Sequence, residues 1–526
     1  MRTQRHSHQQ AIVVLAALLA GCGRTELGAA LGFRDVGAGG PASSGLGGIE
    51  SSVGTGTFGT EGTTGISAGT VSNNGVTTGP GAGSTTAGGA HSVTGDSTSS
   101  GGGGSGAGAG GAAGAAACVE GSCDSSWSAP ELIETDDRGS VLDPRVAMNR
   151  DGAAIVGWSQ LDGARKHVWA NRYSPGDGWA GAEWLEAHDE DEVNVRVAID
   201  DMGAIIVVWQ ASGTPNLWST RHQADAGWAP VEAISSNAHA YHDVAMGGGT
   251  AIVLWPDNSE PGTTLWSNAA SASWGTPFAI RSGVTITDNR LAMNASGDAV
   301  AVWREWDDDR RALWSSRYRA LGWTTPEPIL PEDETGMDPD VALDPEGNAV
   351  VVWYRESASE AHVSANRFSP ETGWGGPEII DSASLAARYA RVGMDDQGNA
   401  IAVWQQKDGA EYSVWANRYS VASGWGTPES IVARGAQPNR PELAVGAAGD
   451  AVAIWAQSHD TGYKLWSNRY TPDTGWGDAE LVAPSMLDGF GVGDVAIDAH
   501  GNALLVWAHF ADSTYSLWAS SSSRTE

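Results

Sequence analysis

Cysteine and positive charge are scarce in this 526-residue sequence. There are three cysteines, and the pair Cys118 and Cys123 has no nearby histidines to complete a metal site. Lysine and arginine number 30 against 63 acidic residues. After residue 117 there are 26 basic and 58 acidic residues, a net charge of −32, which argues against nucleic acid and anionic membrane surfaces as partners. Neither a metal nor a cofactor is expected.

Long apolar runs are also missing. Arg2 and Arg5 precede the ten residues "AIVVLAALLA", which are too few to span a bilayer and have the layout of a secretory signal. The following "LAGC" resembles a bacterial lipobox, and this resemblance implies a signal peptide over residues 1–21 and lipidation of Cys22. The alternative is an ordinary signal peptide with a chance cysteine. Cys118 and Cys123 are then left to form a small disulfide loop in an oxidising compartment.

Residues 22–117 follow the signal and are almost entirely Gly, Ser, Thr and Ala. Such a segment has too little apolar surface to offset its chain entropy, so we expect a disordered tether with an end-to-end distance on the order of 50 to 60 Å. The expected folded domain is residues 118–526. Membrane contact is expected only through the lipid anchor, and the predicted location is the cell envelope, at the outer membrane or cell surface.

The folded part is a repeat of roughly 50 residues, a period typical of propellers and solenoids. Each unit reads "P-x-V-A-M-D-x-x-G-N-A-x-x-V-W", a variable stretch, then "W-A-N-R-Y-S-P-x-x-G-W-G-x-P-E-x-I". This divides into four short strands, A to D, with turn residues between them and no helical periodicity. The sequence therefore predicts an all-β, eight-bladed β-propeller of four-stranded blades.

The register of the repeat is offset by one strand. Eight A–B hairpins contain Trp158, Trp209, Trp255, Trp303, Trp353, Trp404, Trp455 and Trp507, whereas the first D strand, "SWSAPELI" at 126–133, precedes them all. The last unit has A, B and C only. We therefore expect the N-terminal strand to complete the last blade and close the ring, which removes an open sheet edge.

Of the 25 tryptophans, 23 lie at repeat positions, which favours packing between blades over sugar stacking. The Arg of "N-R-Y" and the Glu of strand D look like the sugar clasps of fucose-binding lectin propellers, or they form a repeated structural ion pair.

The motif "D-x-x-G-N", as at Asp344 to Asn348, is better explained by turn chemistry than by a calcium site, because calcium needs more carboxylates.

A charged residue precedes the "V-A" of strand A in every unit. Strand A lines the channel of a propeller, so these residues should form a mixed-sign ring near one mouth, either neutralising one another or binding a ligand. They are Arg145, Arg196, Asp243, Arg290, Asp340, Arg391, Glu442 and Asp494. The B–C and D–A loops vary between units and share one face, which is where function is expected.

The repeat, over residues 126–520, resembles that of secreted bacterial propeller lipoproteins and, more distantly, the Asp-box repeats of sialidase-type propellers. "S-P-E-T-G-W" departs from the Asp-box spacing, so sialidase activity does not follow from the resemblance.

No nucleophile–base pair, metal-ligand spacing or phosphate loop stands out in the sequence. The leading hypothesis is a monomeric, lipid-anchored, non-enzymatic propeller that binds a glycan or a protein through its variable loop face. The alternatives are an envelope assembly scaffold, or a glycan hydrolase or lyase with its site at the channel mouth.

Overall fold

The computed structural model describes residues 126–524, apart from 136–138, 187–190, 239–240, 258–262, 308–309, 321, 357–360, 383–385, 410, 433–436, 460–461, 487–492 and 512–513. The predicted signal peptide, Cys22, the tether, Cys118 and Cys123 lie outside these residues. The regular structure in the described part of the chain is all β, as predicted. None of it forms a helix with the length and apolar character needed to cross a membrane.

The chain forms a long series of short strands, numbered here in chain order. The first half contains β1 (Glu131–Leu132), β2 (Val141–Met148), β3 (Ala154–Asp162), β4 (Arg165–Ser174), β5 (Gly178–Trp179), β6 (Glu183–Trp184), β7 (Glu192–Ile199), β8 (Ile205–Ala211), β9 (Leu217–Gln223), β10 (Gly227–Trp228), β11 (Glu232–Ser235), β12 (Asp243–Gly247), β13 (Thr250–Asp257), β14 (Thr263–Ala270), β15 (Phe278–Met293), β16 (Ala299–Asp307), β17 (Arg310–Arg319), β18 (Gly322–Trp323) and β19 (Glu327–Pro328). The second half contains β20 (Met337–Leu343), β21 (Ala349–Glu356), β22 (Ala361–Ser369), β23 (Gly373–Trp374), β24 (Glu378–Ile379), β25 (Arg388–Met394), β26 (Ala400–Asp408), β27 (Glu411–Ser420), β28 (Gly424–Trp425), β29 (Glu429–Ser430), β30 (Pro438–Val445), β31 (Ala451–His459), β32 (Gly462–Thr471), β33 (Gly475–Trp476), β34 (Glu480–Met486), β35 (Asp494–Ile497), β36 (Ala503–Ala511) and β37 (Thr514–Ser522).

These strands build a repeated antiparallel meander of three strands, and a fourth strand pairs with the third strand of each meander. Meanders 1 to 8 are β2–β4, β7–β9, β12–β14, β15–β17, β20–β22, β25–β27, β30–β32 and β35–β37. In most of them the fourth strand is two short pieces, such as β5 and β6, separated by the Pro or Ala of "GWGxPE". This four-stranded antiparallel unit is that of a β-propeller.

Meanders 3 and 4 share one strand. Residues Phe278–Met293 form a single 16-residue strand, β15, which is the fourth strand of meander 3 and the first strand of meander 4. The sequence predicted two strands here with a loop between them. Register shifts on both sides and Gly283, at φ 84°, allow the long strand to pass from one sheet to the next.

The first and last strands of the folded part pair with each other. β1 lies antiparallel to β37, with Glu131 opposite Ala519 and Leu132 opposite Trp518. Trp127 bridges to Ser522, and its Nε1 donates to Ser467 Oγ in meander 7 at 2.8 Å. The fourth strand of meander 8 is thus supplied by the N-terminal end of the folded part.

The first strands of successive meanders lie next to one another, and β2 of meander 1 also contacts β35 and β36 of meander 8. The core lies between the sheets. The tryptophans of the second strands are at most 2% exposed, because each is covered by the neighbouring meander. Trp274 and Trp374 of the outer strands donate from Nε1 to Ser219 and Ser315 of the preceding meanders. Tryptophan therefore packs meander against meander, as predicted.

The turns between first and second strands follow the predicted turn chemistry. Asp395 Oδ1 accepts from the backbone N of Gln397 and Asn399 at 2.9 and 2.8 Å. Asp344 and Asp498 accept from the turn backbone in the same way. These carboxylates are therefore committed to their own turns, where Asp commonly bonds the backbone.

Candidate functional site

The eight predicted ring residues all lie on first strands. In six strands they follow a register shift against the second strand, and the residue two positions earlier has a left-handed backbone conformation. Those residues are Asp143, Asn194, Asp288, Asp338, Tyr389 and Arg440, with φ between 46° and 57°. A bulge of this kind re-aims side chains and is common beside functional sites.

Two neighbouring pairs of ring residues have opposite charges that compensate each other. Arg391 Nε lies 2.7 Å from Glu442 Oε2, and Arg391 Nη2 donates to Glu442 Oε1 at 3.2 Å. Arg290 Nε lies 3.8 Å from Asp340 Oδ1. With four arginines and four carboxylates, the group carries no formal net charge.

The pKa values reflect burial and this pairing. Burial raises the pKa of Asp243, Asp340 and Asp494, although the nearby arginines oppose the effect. Burial and the neighbouring Arg145 lower the pKa of Arg196 to about 10. Like charges therefore face each other between meanders 1 and 2.

The ring aspartates also join adjacent meanders through backbone hydrogen bonds. Asp243 Oδ2 accepts from Leu291 N at 2.9 Å, and Asp340 Oδ2 accepts from Val392 N at 3.0 Å. Asp494 Oδ2 accepts from Val146 N at 3.0 Å, which links meander 8 to meander 1. Each aspartate therefore has a structural task, and a ligand role for the ring stays a prediction.

Two other repeated polar positions are also engaged in structure. Gln160, Glu305 and Gln406, two residues beyond the second-strand tryptophan, accept from the indole Nε1 of that tryptophan at 2.7 to 3.0 Å. Arg172 and Arg317 of the third strands pair with the glutamates of their own outer strands, at 2.8 and 3.1 Å. In these two units the predicted Arg–Glu ion pair is present.

The two tryptophans outside the repeat are the exposed ones. Trp184 on the outer strand of meander 1 is 54% exposed, and Trp306 at the loop end of β16 is 37% exposed. Trp184 stacks on Trp169 at 6.4 Å and meets the edge of His167 at 4.9 Å. The guanidinium groups of Arg304 and Arg311 lie 5.4 and 4.7 Å from the Trp306 ring. Neither residue was predicted as a site residue from the sequence; the signal that could have identified both is their departure from the repeat.

A cavity of about 300 Å³ lies at the opposite end of the first strands, beside the turns that lead into the second strands. It receives a residue from every meander: Met148, Ile199, Met246, Met293, Leu343, Met394, Val445 and Ile497. At its edge Arg150 forms a bidentate salt bridge with Asp396 and lies 3.4 Å from Asp201. Nothing in the repeat pattern singled out this cavity.

No family model matches the chain, and no curated protein matches it. Solved structures do resemble it in part. A protein of unknown function from Dyadobacter fermentans is 12% identical with a TM-score of 0.39, covering 75% of this chain and 98% of its own. A polysaccharide lyase described as an ulvan lyase is 11% identical with a TM-score of 0.42, covering 74% and 94%. TolB from Acinetobacter baumannii is 13% identical with a TM-score of 0.31, covering 76% and 97%. Similarities at this level carry no argument about function.

Proposed function

We propose that the chain is an eight-bladed propeller that binds a glycan without turning it over. Each meander with its fourth strand is one blade, and β1 closes the ring by completing the last blade. Three observations support closure: β1 pairs with β37, Asp494 bonds to Val146 N between the last and first meanders, and one cavity is lined by all eight first strands. Closure covers the edge of β37 that an unpaired last blade would expose.

The proposal includes an export signal and a lipid anchor at Cys22. Its support is the short apolar run, the "LAGC" sequence and the long Gly/Ser/Thr/Ala segment that follows. A segment of this composition gives reach. The head would thus work at the cell envelope, at a distance from the membrane that holds its anchor.

The observation that carries glycan binding is the contrast between repeat and non-repeat tryptophans. The repeat tryptophans are used in packing, whereas Trp184 and Trp306 present large aromatic surfaces to solvent. Trp184 is held in place by Trp169 and His167, so little side-chain entropy is lost when a ligand packs on it. An exposed, rigid aromatic beside hydrogen-bonding groups is a favourable contact for a sugar ring, and tryptophan is enriched among residues that dominate binding.

The test is a broad glycan array probed with the protein and with Trp184→Ala and Trp306→Ala. We expect specific binding by the unchanged protein and a loss of about tenfold or more in affinity when either of these tryptophans is removed. The control is Phe278→Ala, which removes a 52% exposed aromatic from an outer strand at a repeat position and should leave affinity unchanged. Absence of glycan binding, or an equal loss in the control, would refute the proposal.

A further inference from the structure

Tyr389 and Arg440 lie in neighbouring first strands, at the position that has a left-handed backbone in six of these strands, and they are the two large side chains among the six. Their φ angles are 57° and 46°, and each lies at a register shift two residues before the ring pair Arg391 and Glu442. Left-handed backbone is uncommon for large side chains and strains the chain. Strain of this kind persists only where the surroundings fix it, and it concentrates at binding sites.

Two arginines converge on the Tyr389 ring. The guanidinium carbons of Arg388 and Arg440 each lie 5.2 Å from its centroid, and Arg388 also lies 4.9 Å from the Tyr412 ring. Arg388 Nε donates to Gln405 Oε1 at 3.1 Å, which fixes the direction of the side chain. The two 5.2 Å distances place the guanidinium carbons at most about 10.4 Å apart, within the span of one or two sugar units.

Arg388 and Arg440 differ in their charge environment from several other arginines of the described chain. Arg391, Arg355 and Arg304 pair with Glu442, Glu334 and Asp288. Among the residues whose side chains are described, no carboxylate lies within salt-bridge distance of Arg388 or Arg440. Since the chain after residue 117 carries a net charge of −32, two adjacent cations without carboxylates stand out.

We propose that Arg388 and Arg440 form a subsite for an acidic sugar, with Tyr389 as the residue that positions both guanidinium groups. The planar fork of arginine bonds carboxylates and sulfate-like groups through paired N–H donors. The shared chemistry is therefore an anionic group on a saccharide, either the carboxylate of a uronate or a sulfate ester. This subsite rests on the proposed glycan-binding function and specifies its ligand class.

The net acidity of the chain works against general polyanion binding. Screening confines the effective field to charges within about 8 Å at physiological salt, so the local guanidinium pair dominates at the subsite. We therefore expect recognition of particular acidic oligosaccharides rather than of every polyanion. Heparin-like and nucleic-acid probes serve as the comparison.

The experiment measures affinity of the full chain for two matched probe pairs. The first is oligogalacturonate and the same oligosaccharide after carboxyl reduction, and the second is chondroitin sulfate oligosaccharide before and after desulfation. We expect at least one acidic member to bind, and the Arg388→Ala/Arg440→Ala variant to lose about tenfold or more for it, because a hydrogen bond to a charged group is removed. A loss of affinity on carboxyl reduction identifies the carboxylate as the recognised group, and a loss on desulfation identifies the sulfate.

Arg319→Ala is the control for each of the single variants Arg388→Ala and Arg440→Ala, since it also removes one positive charge but lies at the end of β17, paired with Asp298. It should leave affinity unchanged. Tyr389→Gly is a second test that does not depend on removing an arginine: glycine accepts positive φ, so the variant should fold at least as well yet bind the acidic probe more weakly.

The outcomes separate the two proposals. Glycan binding that is unaffected by the arginine variants, or equal for acidic and neutralised probes, would overturn the subsite and leave the proposed function standing. If neutral glycans bind and neither acidic probe does, the subsite is likewise overturned and the proposed function stands. Failure to bind any glycan on a broad array would overturn both. Tight binding of heparin and nucleic acid alike would replace a specific subsite with general charge attraction.

Discussion

Arg150 and Asp396, 246 residues apart, form a bidentate salt bridge in which Nη1 and Nη2 of Arg150 donate to Oδ2 and Oδ1 of Asp396 at 2.7 and 2.6 Å. The bond joins the turn of meander 1 to that of meander 6 at the edge of the methionine-lined cavity. The hydrogen bond between Arg150 and Asp396 raises the pKa of Arg150. A contact between such distant segments restrains the arrangement of the meanders around the cavity.

Replacing Arg150 by Ala should lower the free energy of unfolding by about 0.5 to 1 kcal/mol at low salt, since both partners are partly exposed. In about 1 M salt the difference should shrink, because screening is then effective over about 3 Å. Denaturant unfolding at the two salt concentrations measures it. Arg319→Ala, which breaks a partly exposed pair with Asp298, is the control and should cost less because its pairing is not bidentate. A salt-independent loss would contradict an electrostatic role.

The strand β1 should matter more for stability than the whole Gly-rich segment. Deleting residues 126–134 removes buried Trp127 and Ile133 and exposes the edge of β37, so we expect a large fall in melting temperature. Deleting residues 30–110 should change it little. Thermal unfolding of both deletions measures this, and equal melting temperatures would refute closure by β1.

A pair of point variants tests the same strand more finely. Trp127→Ala should cost about 3 to 5 kcal/mol, because the side chain is 8% exposed and packs between meanders 7 and 8. Leu132→Ala, at 45% exposure on β1, should cost much less. Chemical denaturation gives both values, and comparable losses would show that burial of Trp127 is not what holds β1.

His242 should make the folded protein less stable in acid. Burial, and then the charge of Arg196, lower the pKa of His242 to about 3. The neutral form is favoured in the fold, so its contribution is fully present above the unfolded pKa of about 6.5 and is lost as pH falls from there towards 3. His242→Gln should therefore flatten the pH dependence of the unfolding free energy between pH 6.5 and 4. A slope unchanged in the variant would assign the effect to other groups.

Gly393 should be intolerant of even one added methyl group. A Cβ at this position in β25 would lie 2.7 Å from Val445 Cβ, and closer still to Val445 Cγ2, in the next first strand. Overpacking of this kind costs about 1 to 3 kcal/mol. Gly376→Ala is the control, since a Cβ there meets nothing within 4 Å. Equal stability of the two variants would show that β25 and β30 can move apart.

The repeat made the strands and their packing predictable, because each unit places strand-forming residues, Gly turns and tryptophan in the same order. It also identified the charged residues of the first strands. The hydrogen bonds that these charged residues form were not predictable. Asp494, for example, accepts from the backbone N–H of Val146, whose position depends on how meanders 8 and 1 meet. A single sequence contains no information about that three-dimensional relationship.

The features outside the repeat were harder to interpret. Arg388, Tyr389 and Arg440 lie upstream of the aligned "V-A", where units differ, so self-alignment attached no meaning to them. The left-handed backbone of Tyr389 and Arg440 lies at a register shift that strand composition does not signal. Likewise Arg150 and Asp396 stand at a turn position that is Asp201 in the second unit and Gly, Ala or Pro in the others, and only the fold brings them together.

The pairing of β1 with β37 also determines where mechanical load enters the folded part. Tension carried by the chain ahead of residue 126 reaches Trp127 and the two-residue strand β1 before any other element. β37, by contrast, is tied to β36 along nine residue pairs. We therefore expect the shorter pairing to open first under such a pull, with β1 detaching before β37 separates from β36.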